Sequence, residues 1–246
     1  MKEQDIQLQM PGGAADAVLF TPDTTHPLPG VLHFPDIGSI RDVQQTMAKR
    51  LASEGYVVLM PNTFYRTSRP PVFTFERRIG DPRSMERLRE LIAPLTPEVQ
   101  AQDFAVYIDF LASQPSVVAD RIGIVGYCIG GSHALRTASI RPDKVRAIAS
   151  FHGGSLYKEN DPGSPHMVLP RVKAKLYFGH ADHDPTMTAD DIAHFEQALK
   201  AWGGSYQSEL YAGAGHGWTV SDNPSYNEPS AERAYGKMRD LFKASL

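Results

Sequence analysis

The sequence predicts an α/β fold, a mostly parallel central sheet with helices on both faces, and three observations carry that expectation. Short apolar runs alternate with helix-period segments along most of the chain, the arrangement that buries a parallel sheet between helical layers. Its 246 residues suit one such sheet, because α/β units routinely exceed the usual domain length, so a single domain over 1–246 is expected. Lastly, a strand runs into a helix through the glycine-bracketed turn Gly126-Tyr127-Cys128-Ile129-Gly130.

Taken in order, Asp5 to Gln9 and Ala14 to Phe20 alternate in polarity around Pro11-Gly12-Gly13 and predict an antiparallel pair. Buried strands follow at 30–34, 56–60, 122–125, 145–151 and 174–178, each a short apolar run of the kind found in a covered sheet. Helical periodicity fills the intervals at 41–54, 97–113, 130–140 and 189–202. A final strand at 206–211 precedes a closing helix near 231–244. One stretch breaks this rhythm: residues 62–95 hold prolines at 70, 71, 82 and 94 and arginines at 66, 69, 77, 78, 83, 87 and 89. It is too long for a plain connector and reads as a lid or pocket-covering excursion with a short helix near 82–92, or else as a solvated charged loop.

Composition narrows the function classes. A hydrophobic content of 41%, a charged content of 22% and a formal charge of −3 describe a globular chain without the basic excess that nucleic acid requires. The charged opening Met1-Lys2-Glu3-Gln4-Asp5 is not followed by an apolar core, and no apolar run is long enough to span a bilayer. A cytoplasmic protein acting on a small molecule is expected, with no membrane partner, as a monomer or small homo-oligomer. A single cysteine excludes an internal disulfide and a thiolate metal cluster, leaving Cys128 as either a packed residue or a reactive one.

The turn around Cys128 decides between these. Glycines two before and two after the central residue allow a sharp strand-to-helix bend that pushes the central side chain into the open, as in a nucleophile elbow. Such an elbow needs an acid after the following strand and a histidine after the last one. His180-Ala181-Asp182-His183-Asp184 and Gly215-His216-Gly217-Trp218 occupy those places, so nucleophile, acid and base run Cys128, then Asp184 or Asp182, then His216, with Asp184 favoured. The backbone N–H of Ile129 is the first expected oxyanion donor, and Ile37 in Phe34-Pro35-Asp36-Ile37-Gly38 the second. Asp36 is then expected beside the thiol, as its activator or as a plain turn residue, with Trp218 at the pocket. His33 and His133 read as packing residues, and His152 as pocket wall or core. The 180–184 cluster lacks metal-ligand spacing, so no metal is expected.

The elbow GYCIGG at 126–131, the FPDIG loop at 34–38, PNTFYR at 61–66 and GHGW at 215–218 together resemble the dienelactone hydrolase family over most of the chain. That resemblance implies an α/β-hydrolase fold, no cofactor, and a Cys-His-Asp triad that cleaves a small ester or lactone through an acyl-thioester. It places the family's cysteine at Cys128, its histidine at His216 and its oxyanion donors at Ile37 and Ile129. Well-known members resemble this chain less at two places: their thiol-activating glutamate is Asp36 here, and a substrate-gripping arginine four residues after the histidine is Val220. The rival expectation is a non-catalytic α/β-hydrolase-like protein that binds a ligand or senses oxidants through Cys128.

Overall fold

The computed structural model describes residues 1–78 and 81–246. Strands β1 (Lys2–Met10) and β2 (Gly13–Thr21) form an antiparallel hairpin, and β2 pairs antiparallel with β4 (Val57–Pro61). Every further pairing is parallel, through β3 (Leu28–Phe34), β5 (Val117–Tyr127), β6 (Val145–Phe151), β7 (Lys175–Ala181) and β8 (Tyr206–Tyr211), giving the order β1-β2-β4-β3-β5-β6-β7-β8.

Alternation along the strands builds two cores. Val31, Val58, Val125, Ala149 and Tyr177 face one side, where α1 (Asp42–Ser53) and α6 (Glu228–Lys243) cover them with Leu51, Ala52, Met238 and Phe242. Their neighbours Leu32, Leu59, Ile124, Ile148 and Leu176 face the other side. There α3 (Pro97–Ala112), α4 (Ile129–Ala138) and α5 (Ala189–Trp202) contribute Phe104, Leu111, Leu135, Phe195 and Leu199. Successive side chains on a strand point to opposite faces, so a strand buried on both sides reads as a continuous apolar run.

Some boundaries differ from the sequence expectation. Helix α6 starts at Glu228 rather than near 231, because Pro229 lies in its first turn, where a missing N–H costs nothing, and Asn227 caps it by accepting the Ser230 N–H. Strand β5 reaches back to Val117, which pairs with Leu28 across a register shift; polar Asp120 and Arg121 hide this part from a search for apolar runs. Strand β7 continues through Gly179 and His180 to Ala181, all paired with β8.

The order of strands fixes where a ligand can sit. Strand β3 lies between β4 and β5, so the chain leaves its C-terminal end to one side and returns on the other, opening a crevice at the ends of β3 and β5. The loop 35–41 and Cys128 meet at that crevice. Among the described residues no helix is long and apolar enough to cross a membrane.

Candidate active site

Cys128 sits between β5 and α4 with φ +56° and ψ −122°, a backbone state that side-chain-bearing residues rarely adopt. The flanking glycines make the bend possible by close approach: a Cβ on Gly126 would fall on the Gly130 carbonyl, and one on Gly130 would fall on the Phe34 and Pro35 carbonyls. The Cys128 N–H is held by the Phe151 carbonyl and by His152 Nδ1, both at 3.1 Å. Its own carbonyl accepts the Gly131 N–H at 2.9 Å.

Three side chains converge here from the ends of β5, β7 and β8. His216 Nε2 lies 3.0 Å from Cys128 Sγ, and His216 Nδ1 lies 2.6 Å from Asp184 Oδ2. The other Asp184 oxygen accepts the Thr186 N–H at 2.8 Å and the Thr186 hydroxyl at 2.7 Å, which aims the carboxylate at the imidazole. Asp182 is directed elsewhere: its Oδ2 accepts the Gly213 N–H at 3.0 Å. Of the two candidate acids, the geometry brings Asp184 to the histidine.

Electrostatics follow from this packing. Burial alone would lower the His216 pKa, but its contacts with the Cys128 sulfur and the Asp184 carboxylate outweigh it and raise it to about 10. Burial likewise acts to raise Asp184, yet the bonds from His216 and Thr186 win and hold the carboxylate below its ordinary value. The raised pKa favours a proton on Nδ1 donated to the Asp184 carboxylate, with Nε2 facing the sulfur.

The N–H groups of Ile37 and Ile129 donate to no acceptor among the described residues. Ile129 is the first residue of α4, so its N–H also carries the positive end of that helix dipole.

His152 enters the site in a way its sequence context leaves open. It has φ +39°, its N–H is held by the Gly179 carbonyl at 2.7 Å, and its ring meets that of His216 edge to face at 5.2 Å. Because Nδ1 accepts the Cys128 N–H, the ring proton is on Nε2 and is donated to Thr219 Oγ1 at 2.7 Å. Burial, reinforced by the His216 charge, pushes its pKa well down and keeps it neutral.

Asp36 corrects an expectation. Its carboxylate is turned not to the thiol but to Arg41, which donates to its two oxygens at 2.7 and 2.8 Å, with Gly38 N–H at 2.8 Å and Gln44 Nε2 at 3.3 Å completing its donors. Arg41 also donates to both oxygens of Asp222, and His33 donates to Gln44 at 2.8 Å. A guanidinium five residues away outcompetes a thiol for a carboxylate because the bidentate pair is charged and planar.

The dienelactone hydrolase family model matches residues 15–246. The chain belongs to the dienelactone hydrolase family. A Bradyrhizobium relative of this family member, whose assigned name is probable 2-oxo-3-(5-oxofuran-2-ylidene)propanoate lactonase, is 28% identical over 222 residues, covering 89% of this chain and 85% of that one. A Synechocystis protein assigned as a carboxymethylenebutenolidase is 26% identical, covering 89% and 87%. Among solved structures, a Klebsiella pneumoniae protein assigned to the dienelactone hydrolases superposes with a TM-score of 0.87 at 22% identity over 98% of both chains. The fold is thus the α/β-hydrolase fold.

One other expected feature is placed differently in this dienelactone hydrolase family member. Trp218 does not line an opening: it is fully buried, stacked on Tyr211 at 4.2 Å and set edge to face against Phe151 and His152. It supports the site from behind, through His152. Val220 is also buried. His180, buried and lowered to about 4 by burial, bonds Ser208 at 3.1 Å, while His183 is exposed.

The excursion 62–95 packs on Ile37 and Ile129. Its Phe64, Val72, Leu91 and Leu95 form a buried cluster with Ile37, against which Ile129 packs. Asn62 ties the base of the segment down, accepting from Ser39 Oγ and the Phe64 N–H, each at 3.0 Å, and donating to the Ser68 carbonyl at 2.8 Å. The short helix α2 (Pro82–Ile92) is capped by Asp81, whose side chain accepts the Ser84 N–H at 2.8 Å.

Proposed function

We propose that the protein hydrolyses a small carboxylic ester or lactone with Cys128 as nucleophile, His216 as acid and base, and Asp184 as the group that orients and charges His216. The observation that carries this reading is the unbroken line from Asp184 Oδ2 through His216 to Cys128 Sγ, at 2.6 and 3.0 Å, with the sulfur presented on a strained elbow.

In the first half-reaction the Cys128 sulfur adds to the carbonyl carbon, and the electron pair displaced onto oxygen is stabilised by the N–H groups of Ile37 and Ile129. Collapse breaks the ester C–O bond as His216 Nε2 gives its proton to the leaving oxygen, producing an alcohol and an acyl-thioester. Neutral His216 then takes a proton from water, the hydroxide adds to the thioester carbonyl, and collapse expels the sulfur as thiolate beside a restored imidazolium. Atoms and charge balance without a cofactor. A resting sulfur already paired with His216 needs no activation by Asp36, which suits the commitment of that carboxylate to Arg41. An unpaired nucleophilic cysteine also fits a reducing, cytoplasmic setting.

Intact-mass measurement during turnover of a slow aryl ester tests the reading. A single acyl adduct on the wild type, absent in Cys128→Ala together with a loss of several orders of magnitude in kcat, is the expected result. Turnover by Cys128→Ala at the wild-type rate would overturn it.

A further inference from the structure

We infer that this site takes a neutral ester with an apolar acyl group and discriminates against substrates bearing a carboxylate; the inference rests on the reading of Cys128 as nucleophile. Two independent features point to it: how the charges around the crevice are committed, and what surface adjoins the oxyanion donors.

Among the described residues the basic group that contacts the sulfur is His216, and it is paired with Asp184. On the loop that carries Ile37, the nearest guanidinium is Arg41, and it is shared by two carboxylates, Asp36 and Asp222. The crevice is therefore bordered by more negative than positive charge. The excursion is rich in arginine, but five of its seven arginine side chains are already engaged. Arg66 is held by Asp103, Arg69 by Asp16, Arg78 by Glu76 and Arg87 by Glu90, while Arg83 lies over the Phe75 ring. Arg77 and Arg89 are exposed to solvent, where screening weakens their reach.

The surface next to the oxyanion donors is apolar. Ile37 belongs to the buried cluster under the excursion, and Phe73, Leu88 and Ile129 pack on that cluster while remaining only partly buried. A carbonyl held by Ile37 and Ile129 N–H would project its acyl chain past these side chains. An alkyl or aryl chain gains by losing water there, whereas a carboxylate would be desolvated beside Arg41, a cation already shared by two carboxylates.

A matched pair of p-nitrophenyl esters tests this: the neutral 4-methylpentanoate, and the hemisuccinate, which has nearly the same shape but a carboxylate in place of the isopropyl group. Wild-type kcat/KM should favour the neutral ester by roughly tenfold or more, the range expected for a like-charged, uncompensated group. Asp222→Asn, which frees part of the Arg41 charge at an exposed position, should raise the hemisuccinate-to-neutral ratio by about threefold, and added salt should narrow the wild-type gap. Equal or better turnover of the hemisuccinate, or a ratio that Asp222→Asn leaves in place, would overturn the inference while leaving the nucleophile reading intact. Undiminished turnover of both esters by Cys128→Ala would instead overturn the reading on which it rests.

Discussion

At the scale of single residues, the pairing of His216 with Asp184 makes a sharp pH prediction. In the proposed mechanism His216 gives its proton to the leaving oxygen, and that proton is retained up to about pH 10. Activity in kcat/KM should therefore persist through neutral pH and fall as pH rises through about 10. Asp184→Asn removes part of what raises the His216 pKa, so the alkaline limit should move toward neutrality and kcat should drop by roughly 10²–10⁴-fold. An Asn variant with the wild-type alkaline limit would show that the carboxylate does not set the charge of the imidazole. A second residue makes a stability prediction. His133, one turn into α4, is buried with neither ring nitrogen hydrogen-bonded, its ring 5.0 Å from Phe104 and 5.7 Å from Phe34. An unsatisfied buried polar group costs about 1–3 kcal/mol, so His133→Leu should raise the urea midpoint by an amount worth about 1 kcal/mol. A lowered midpoint would mean that ring shape matters more than the unmade bonds.

At the scale of elements, Asn62 makes three hydrogen bonds at the base of the excursion 62–95. Asn62→Ala leaves the Phe64 N–H and the Ser68 carbonyl without that partner, and a destabilisation of about 1–3 kcal/mol is expected. Proteolysis should then begin inside 62–95 at protease concentrations that leave the wild type intact; an unchanged cleavage pattern would show that the apolar cluster alone holds the segment. Elements of this kind also mark where the sequence stops being legible. The elbow, the short strands and the helix 189–202 are visible because their signals are local: glycine spacing, apolar runs and helical periodicity. The start of α6 is obscured because a proline is a breaker within a helix and harmless in its first turn, and only the observed Asn227 cap decides which. Asp182 and Asp184 cannot be separated by reach along the chain, since the choice depends on which carboxylate the Thr186 turn aims inward. The role of Arg41 is hidden for another reason: Asp222 is 181 residues away, and nothing in a one-dimensional pattern joins them.

At the scale of the whole molecule, four buried histidines make the fold acid-sensitive. Burial lowers His33 to about 4, His133 to about 3, His180 to about 4, and His152 well below its ordinary value. For each, the folded state resists a proton that the unfolded chain accepts near pH 6.5. Their contribution is therefore complete above about pH 6.5 and is lost as pH falls toward the folded values, at about 1.4 kcal/mol per pH unit for each group. With four groups acting together between pH 6.5 and 4, the slope is large against the stability of a typical domain, roughly 5–15 kcal/mol, and cooperative unfolding is expected before pH 4. His216 does not offset this, because its raised pKa contributes stability that is complete below pH 6.5 and is lost only on the alkaline side, as pH rises through about 10. Urea midpoints measured across pH 4 to 8 should decline below 6.5, and the decline should shallow by about one proton's worth in His133→Leu. A midpoint independent of pH over that range would mean that these rings reach solvent and titrate normally, contrary to their burial in the two cores.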